Sequence, residues 1–144
     1  MRITICGSMA FAKEMLEFKE KLEKKGHLVI VPEFTKRYAT DPKWQKKAKG
    51  WGTMIGAQRK ISHNLIKKHY DEIVKSDGIL VINKDKNRIK NYIGGNSFLE
   101  MGFAYVLGKK IFVLNSLPKQ LGLIYQELMA LEPIILNGSL SKIK

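Results

Sequence analysis

Five short apolar runs constrain this chain more than any other feature. They are Ile3-Thr4-Ile5-Cys6, Leu28-Val29-Ile30-Val31, Gly78-Ile79-Leu80-Val81-Ile82-Asn83, Ile111-Phe112-Val113-Leu114-Asn115 and Pro133-Ile134-Ile135-Leu136-Asn137. None shows in–out alternation, so each strand needs cover on both faces, the condition of a parallel sheet between helices. The intervening segments supply the helices. Over 11–25, Phe11, Met15, Phe18 and Leu22 recur at spacings of three and four, and Gly26 closes the pattern. A second helix is predicted over 61–76, with Ile61, Leu65, Ile66, Ile73 and Val74 as its apolar stripe. A third spans 97–107, ended by Gly108, and a fourth spans 121–131. The alternation predicts an α/β fold: one domain over 1–144, with a five-stranded parallel sheet and helices on both faces. At 144 residues and 44% apolar composition, the chain has the means to bury such a core.

Several classes are excluded or disfavoured. No apolar run approaches the ~18 residues of a membrane span. Met1 leads straight into a strand, so no signal peptide is expected and the expected compartment is cytoplasmic. Cys6 is the single cysteine, which excludes an internal disulfide and a cysteine zinc cluster. His27, His63 and His69 lack the spacing of a metal motif, so no metal is expected. The loop after the first strand has only Gly7, not GxGxxG, and the chain lacks GxxxxGK[ST]. No cofactor is therefore expected.

Charge is unevenly spread. The chain has 26 Lys and Arg against 13 Asp and Glu, a net +13. The window 35–70 holds ten basic residues and one acid, Asp41, and so carries +9 of that total. Such a field attracts nucleotide phosphates or nucleic acid, and it equally describes a solvated lysine-rich face. Tyr38, Trp44 and Trp51 interleave with the charges, either to stack on bases or to anchor a loop. The stretch 33–60 reads as a basic insert that holds a short helix or acts as a lid.

Parallel sheets bind ligands beyond the carboxyl ends of their strands. The candidate positions are Gly7, Ser8 and Met9, the loop after the third strand with the helix that follows it, and Asn115. That helix contains the most informative residue. From Tyr92 to Gly108, Glu100 is the only charged side chain. A helix apolar nearly all round is expected to be buried, and a buried carboxylate needs a partner. One explanation is a capping box, with Ser97 as N-cap and Glu100 three residues on. The other is functional. Gly94 and Gly95 let the backbone approach a ligand, while Asn96, Ser97 and the first-turn N–H groups bind a phosphate or hydroxyl. Glu100 then serves as nucleophile or ion-pair partner for a sugar oxocarbenium ion.

Three stretches resemble the nucleoside 2-deoxyribosyltransferase superfamily, which includes the deoxynucleoside 5′-monophosphate N-glycosidases. They are Ile3-Thr4-Ile5-Cys6-Gly7-Ser8, the run from Ile73 to Asn83, and Gly94 to Gly108 with Lys109-Lys110-Ile111 after it. The Glu-x-Gly-x-Ala pattern at Glu100, Gly102 and Ala104 is the most specific part. The resemblance implies a flavodoxin-like sheet, cleavage or transfer of an N-glycosidic bond in a nucleoside or nucleotide, and Glu100 as the nucleophile at C1′. It also implies a homodimer or larger assembly and a first loop, Gly7-Ser8, that faces the sugar or its 5′-phosphate.

The sequence departs from the family pattern at three places. One is Ala10-Phe11, which stands where the monophosphate hydrolases often have an arginine after the first glycine loop and so speaks against a phosphate there. Where the family has an Asp eight residues before the position of Asp77, this chain has His69. His69 lies four residues from both Leu65 and Ile73, on the predicted inward stripe, with Asp71 pointing the other way. It is either a general acid or base or a satisfied core residue. Asp77 is either a substrate-binding residue or turn chemistry before Gly78. The third departure is Gly94, where transferases of free nucleosides carry an Asp six residues before the nucleophile. Its loss removes a repulsion against phosphate and favours a phosphorylated nucleotide. Two other readings stand beside this one. Gly94-Gly95, Ser97 and Glu100 echo the PGGxGTxxE of lysine-decarboxylase-like phosphoribohydrolases, one residue short. A non-catalytic module would instead bind a nucleotide or nucleic acid through the basic window.

Overall fold

The computed structural model describes residues 1–48 and 54–144. Its five strands are β1 (Arg2–Gly7), β2 (Leu28–Ile30), β3 (Gly78–Ile82), β4 (Lys110–Val113) and β5 (Ile134–Ile135). They form one parallel sheet in the order β2-β1-β3-β4-β5. This is the flavodoxin-like order, whose switch point lies between β1 and β3. The register sets Ile5 opposite Leu80 and Leu80 opposite Phe112. All three are buried, each contributing roughly 1.5–3 kcal/mol of apolar burial.

Side-chain alternation along β1 sorts residues between two cores. Ile3 and Ile5 pack with Phe11 and with Met15 and Leu22 of α1 (Ala12–Glu23). The opposite face carries Cys6, packed with Ile73 of α5 (Leu65–Val74), with Met101 and Ala104 of α6 (Gly95–Val106), and with Leu128 of α7 (Gly122–Ala130). The insert contributes α2 (Thr35–Thr40), α3 (Pro42–Ala48) and α4 (Met54–Ser62).

The single helix expected over 61–76 is instead two. Asn64 takes a left-handed conformation, φ 50°, between α4 and α5, a region Asn enters more readily than most residues. The break takes Ile61 out of the expected stripe, and within α5 the stripe is narrower than expected: Leu65 and Ile73 face inward, while Ile61, Ile66 and Val74 are exposed. The all-round burial expected for α6 also fails, because Leu99, Tyr105 and Val106 are exposed.

The aromatic residues of the insert anchor it. Tyr38 is 2% exposed and meets Trp44 edge-on at 5.1 Å. The Phe34 ring lies 5.6 Å from that of Trp44, and the Arg37 and Arg59 guanidinium groups sit over the Trp44 ring. Tyr38 and Trp44 are therefore committed to packing rather than presented to bases. Trp51 lies outside the described residues. No described helix is long and apolar enough to cross a membrane.

Candidate active site

A cavity of about 1060 Å³ opens at the carboxyl ends of β1 and β2, walled by α5, the loop after β3 and the start of α6. Nine of the sequence-selected residues line it: Gly7, Ser8, Met9, His69, Gly94, Gly95, Asn96, Ser97 and Glu100.

The first wall is the turn after β1. Gly7 has φ 155°, and a Cβ there would stand 2.9 Å from Met15 Cε and 3.0 Å from the Ile82 carbonyl. Only glycine lets the strand end this close to its neighbour. Ser8 then caps a short 3₁₀ turn, its Oγ accepting from the Ala10 N–H.

The second wall is the start of α6. The helix begins at Gly95 with Gly94 as its N-cap, so Ser97 and Glu100 do not form the expected capping box. Ser97 lies within the first turn and Glu100 in the second. No side chain caps the helix, and its first N–H groups face the cavity end with the positive pole of the dipole. A Cβ on Gly94 would stand 3.0 Å from the Tyr92 hydroxyl, so the glycine makes room for that ring.

Glu100 is 4% exposed and lines the cavity. Its Oε1 accepts from His69 Nδ1 at 2.5 Å and from Asn96 Nδ2 at 2.6 Å, while Oε2 is buried with no hydrogen bond. Asn96 sits four residues before Glu100, one turn up the same face. Burial opposes a charge on His69. The Glu100 carboxylate outweighs it by attraction and hydrogen bonding, aided by the Ile5 carbonyl and Glu72, and the imidazole pKa rises above its ordinary 6.5.

Cys6 Sγ joins this pair from β1. One ligand atom each from Cys6, His69 and Glu100 lies within 4.8 Å of the others, a set able to hold a metal ion. Burial first, and the Glu100 charge second, push the Cys6 thiol well above its usual pKa, which opposes the thiolate that metal binding requires. The sequence held no sign of this trio, because its members are far apart in the chain.

Two expected site residues lie elsewhere. Asp77 is at the amino end of β3, its Oδ2 accepting the Arg2 N–H at 2.7 Å. That contact fastens the start of β3 to β1, and Asp77 does not line the cavity. Asn115 is tied to buried Asn83: its backbone N–H donates to Asn83 Oδ1 and its Nδ2 to the Asn83 carbonyl, both at 2.8 Å. It borders a separate, smaller hollow. Asp71, expected to point away, does line the cavity, where it pairs with Lys67.

Lys86 and Tyr92 were not singled out by sequence. Lys86 Nζ donates to Ser8 Oγ at 2.8 Å and stands 5.3 Å from the Tyr92 ring centroid, and both residues line the cavity. Their loop carries Lys84, Lys86 and Lys90, and nothing in the pattern separates the three.

No protein-family model and no curated protein matches the chain. Among solved structures, the chain is similar to a 2-deoxyribosyltransferase from the psychrotolerant bacterium Bacillus psychrosaccharolyticus. The identity is 19% over 78% of this chain and 71% of the other, with a TM-score of 0.48. It is also similar to the Clostridium botulinum CMP N-glycosidase BcmB, at 18% identity over 95% of this chain and 89% of the other, with a TM-score of 0.49.

Proposed function

We propose that this chain is an enzyme that cleaves or transfers the N-glycosidic bond of a nucleoside or nucleoside 5′-monophosphate, with Glu100 as nucleophile. The observation that carries the reading is the asymmetric environment of one carboxylate at a cavity wall. Two donors hold Oε1, and Oε2 has no hydrogen-bond partner. A carboxylate buried this way is costly unless its free oxygen acquires a partner, and an anomeric carbon with developing positive charge is such a partner.

In the first step Glu100 Oε2 bonds to C1′ as the C1′–N bond breaks. The bond's electron pair leaves with the base, which gains a proton from water or from His69. In the second step water, or the nitrogen of another base, attacks C1′ and frees the carboxylate, losing its own proton to solvent. His69 is well placed to orient Glu100, because its Nδ1 is engaged with Oε1.

The resemblance at Glu100, Gly102 and Ala104 supports the same reading. Within that reading, the absence of a carboxylate at Gly94 favours the 5′-monophosphate over the free nucleoside. A homodimer belongs to the same reading, and the exposed Leu99, Tyr105 and Val106 on α6 supply an apolar face for the second copy. The nucleic-acid alternative draws less support, since Lys67 and Lys68 of the basic window pair with Asp71 and Glu33. The test is release of free base from a panel of nucleosides and 5′-monophosphates, followed by chromatography. Glu100→Ala and Glu100→Gln are expected to abolish release; undiminished release by either would remove the assignment.

A further inference from the structure

We propose that Lys86 selects ligands bearing a phosphoryl group, held jointly by its ammonium, the Ser8 hydroxyl and the first-turn N–H groups of α6. The inference deepens the glycosidase reading and rests on it only for the identity of the rest of the ligand.

The starting point is an unbalanced charge. Arg2, Lys60, Lys68 and Lys75 also line the cavity; Arg2, Lys68 and Lys75 each have a carboxylate partner, and Lys60 is not without a partner either. Lys86 has none within ion-pair distance among the described residues; its ammonium meets the Ser8 hydroxyl and the Tyr92 ring face. Burial lowers its pKa, so the site disfavours the cation it holds while no ligand is bound. An anion removes that penalty.

The surroundings complete the anion site. Ser8 Oγ accepts from both Lys86 and the Ala10 N–H, which leaves its own O–H proton to donate. Tyr92, under the Lys86 ammonium, abuts Gly94, so the lysine stands beside the uncapped start of α6. At Gly95 a Cβ would meet no atom within 4 Å, which leaves the first-turn amides approachable. Glu100, whose Oε2 is buried without a hydrogen-bond partner, lines the same cavity and is a second polar group there left for a ligand to satisfy. An ammonium, a hydroxyl and backbone amides supply enough donors for the terminal oxygens of a phosphoryl group.

The experiment compares wild type with Lys86→Met, Lys86→Gln and Lys86→Arg. First, kcat/KM is measured for a nucleoside and its 5′-monophosphate. Wild type is expected to prefer the monophosphate, with that preference falling about 10- to 100-fold in Lys86→Met and Lys86→Gln and partly restored in Lys86→Arg. Second, binding of ribose and ribose 5-phosphate is measured by calorimetry, which needs no turnover. Tighter binding of ribose 5-phosphate, weakened by Lys86→Met, is expected. An unchanged substrate ratio in the Met and Gln variants would overturn the proposal, as would equal binding of the two sugars by wild type. If no substrate releases base but Lys86→Met still weakens ribose 5-phosphate binding, the phosphate selectivity stands and the glycosidase reading falls.

Discussion

His69 Nδ1 and Glu100 Oε1 lie 2.5 Å apart although 31 positions separate them in the chain. The contact ties α5 to α6 beside the cavity and raises the imidazole pKa above 6.5. A raised folded-state value makes the charged pair stabilising in full below the unfolded value. That contribution is lost as pH rises through the folded value. An NMR titration of the His69 ring should give a midpoint above 6.5, and Glu100→Gln should lower it. A midpoint unmoved by that substitution would mean the carboxylate is not what holds the proton.

Replacing His69 by Leu removes the charge and one of two donors to Oε1. The carboxylate then has Asn96 as its remaining hydrogen-bond donor. Loss of orientation at a reacting group costs on the order of a hundredfold in rate. The fall is expected in kcat more than in KM, measured on whichever nucleotide releases base. Equal activity would reduce His69 to packing.

Gly7→Ala places a methyl group against Met15 Cε and the Ile82 carbonyl, at a φ that side chains avoid. A cost of about 1–3 kcal/mol is expected, read as a lower melting temperature in calorimetry. A variant as stable as wild type would show that the turn after β1 relaxes freely.

Asn115→Ala leaves the carbonyl of buried Asn83 without its side-chain donor. The expected loss is about 1–3 kcal/mol of stability, without a rise in KM. A raised KM would return Asn115 to the binding site.

Val106 is 85% exposed at the outer face of α6. Val106→Glu is expected to convert a dimer to a monomer in light scattering while changing the stability of the folded subunit by no more than about 0.5 kcal/mol. A wild-type monomer would leave this face without the assigned role.

The sheet was legible because buried parallel strands have no solvent-facing positions, and so appear as unbroken apolar runs such as Ile79 to Ile82. The helix boundaries were less so. Asn64 breaks the pattern through backbone conformation, and nothing in the spacing of Ile61, Leu65 and Ile66 announces it. Glu100 stood out as one charge in an apolar helix. Its partner His69 was reachable by counting turns from Leu65 and Ile73. Cys6 and Lys86 were not, since their roles arise from chain segments meeting in space. Ser97 misled for a local reason: Gly94 and Gly95 start the helix before the hydroxyl can cap it.

Gly95 opens α6 and Glu100 sits five positions further along it. At the rise of an α-helix that interval is about 7.5 Å along the axis. Both ends of a bound molecule would then be gauged by one rigid rod, the acidic tail at its tip and the scissile carbon further down. A homologue of that molecule one methylene longer or shorter would fall out of step with the carboxylate.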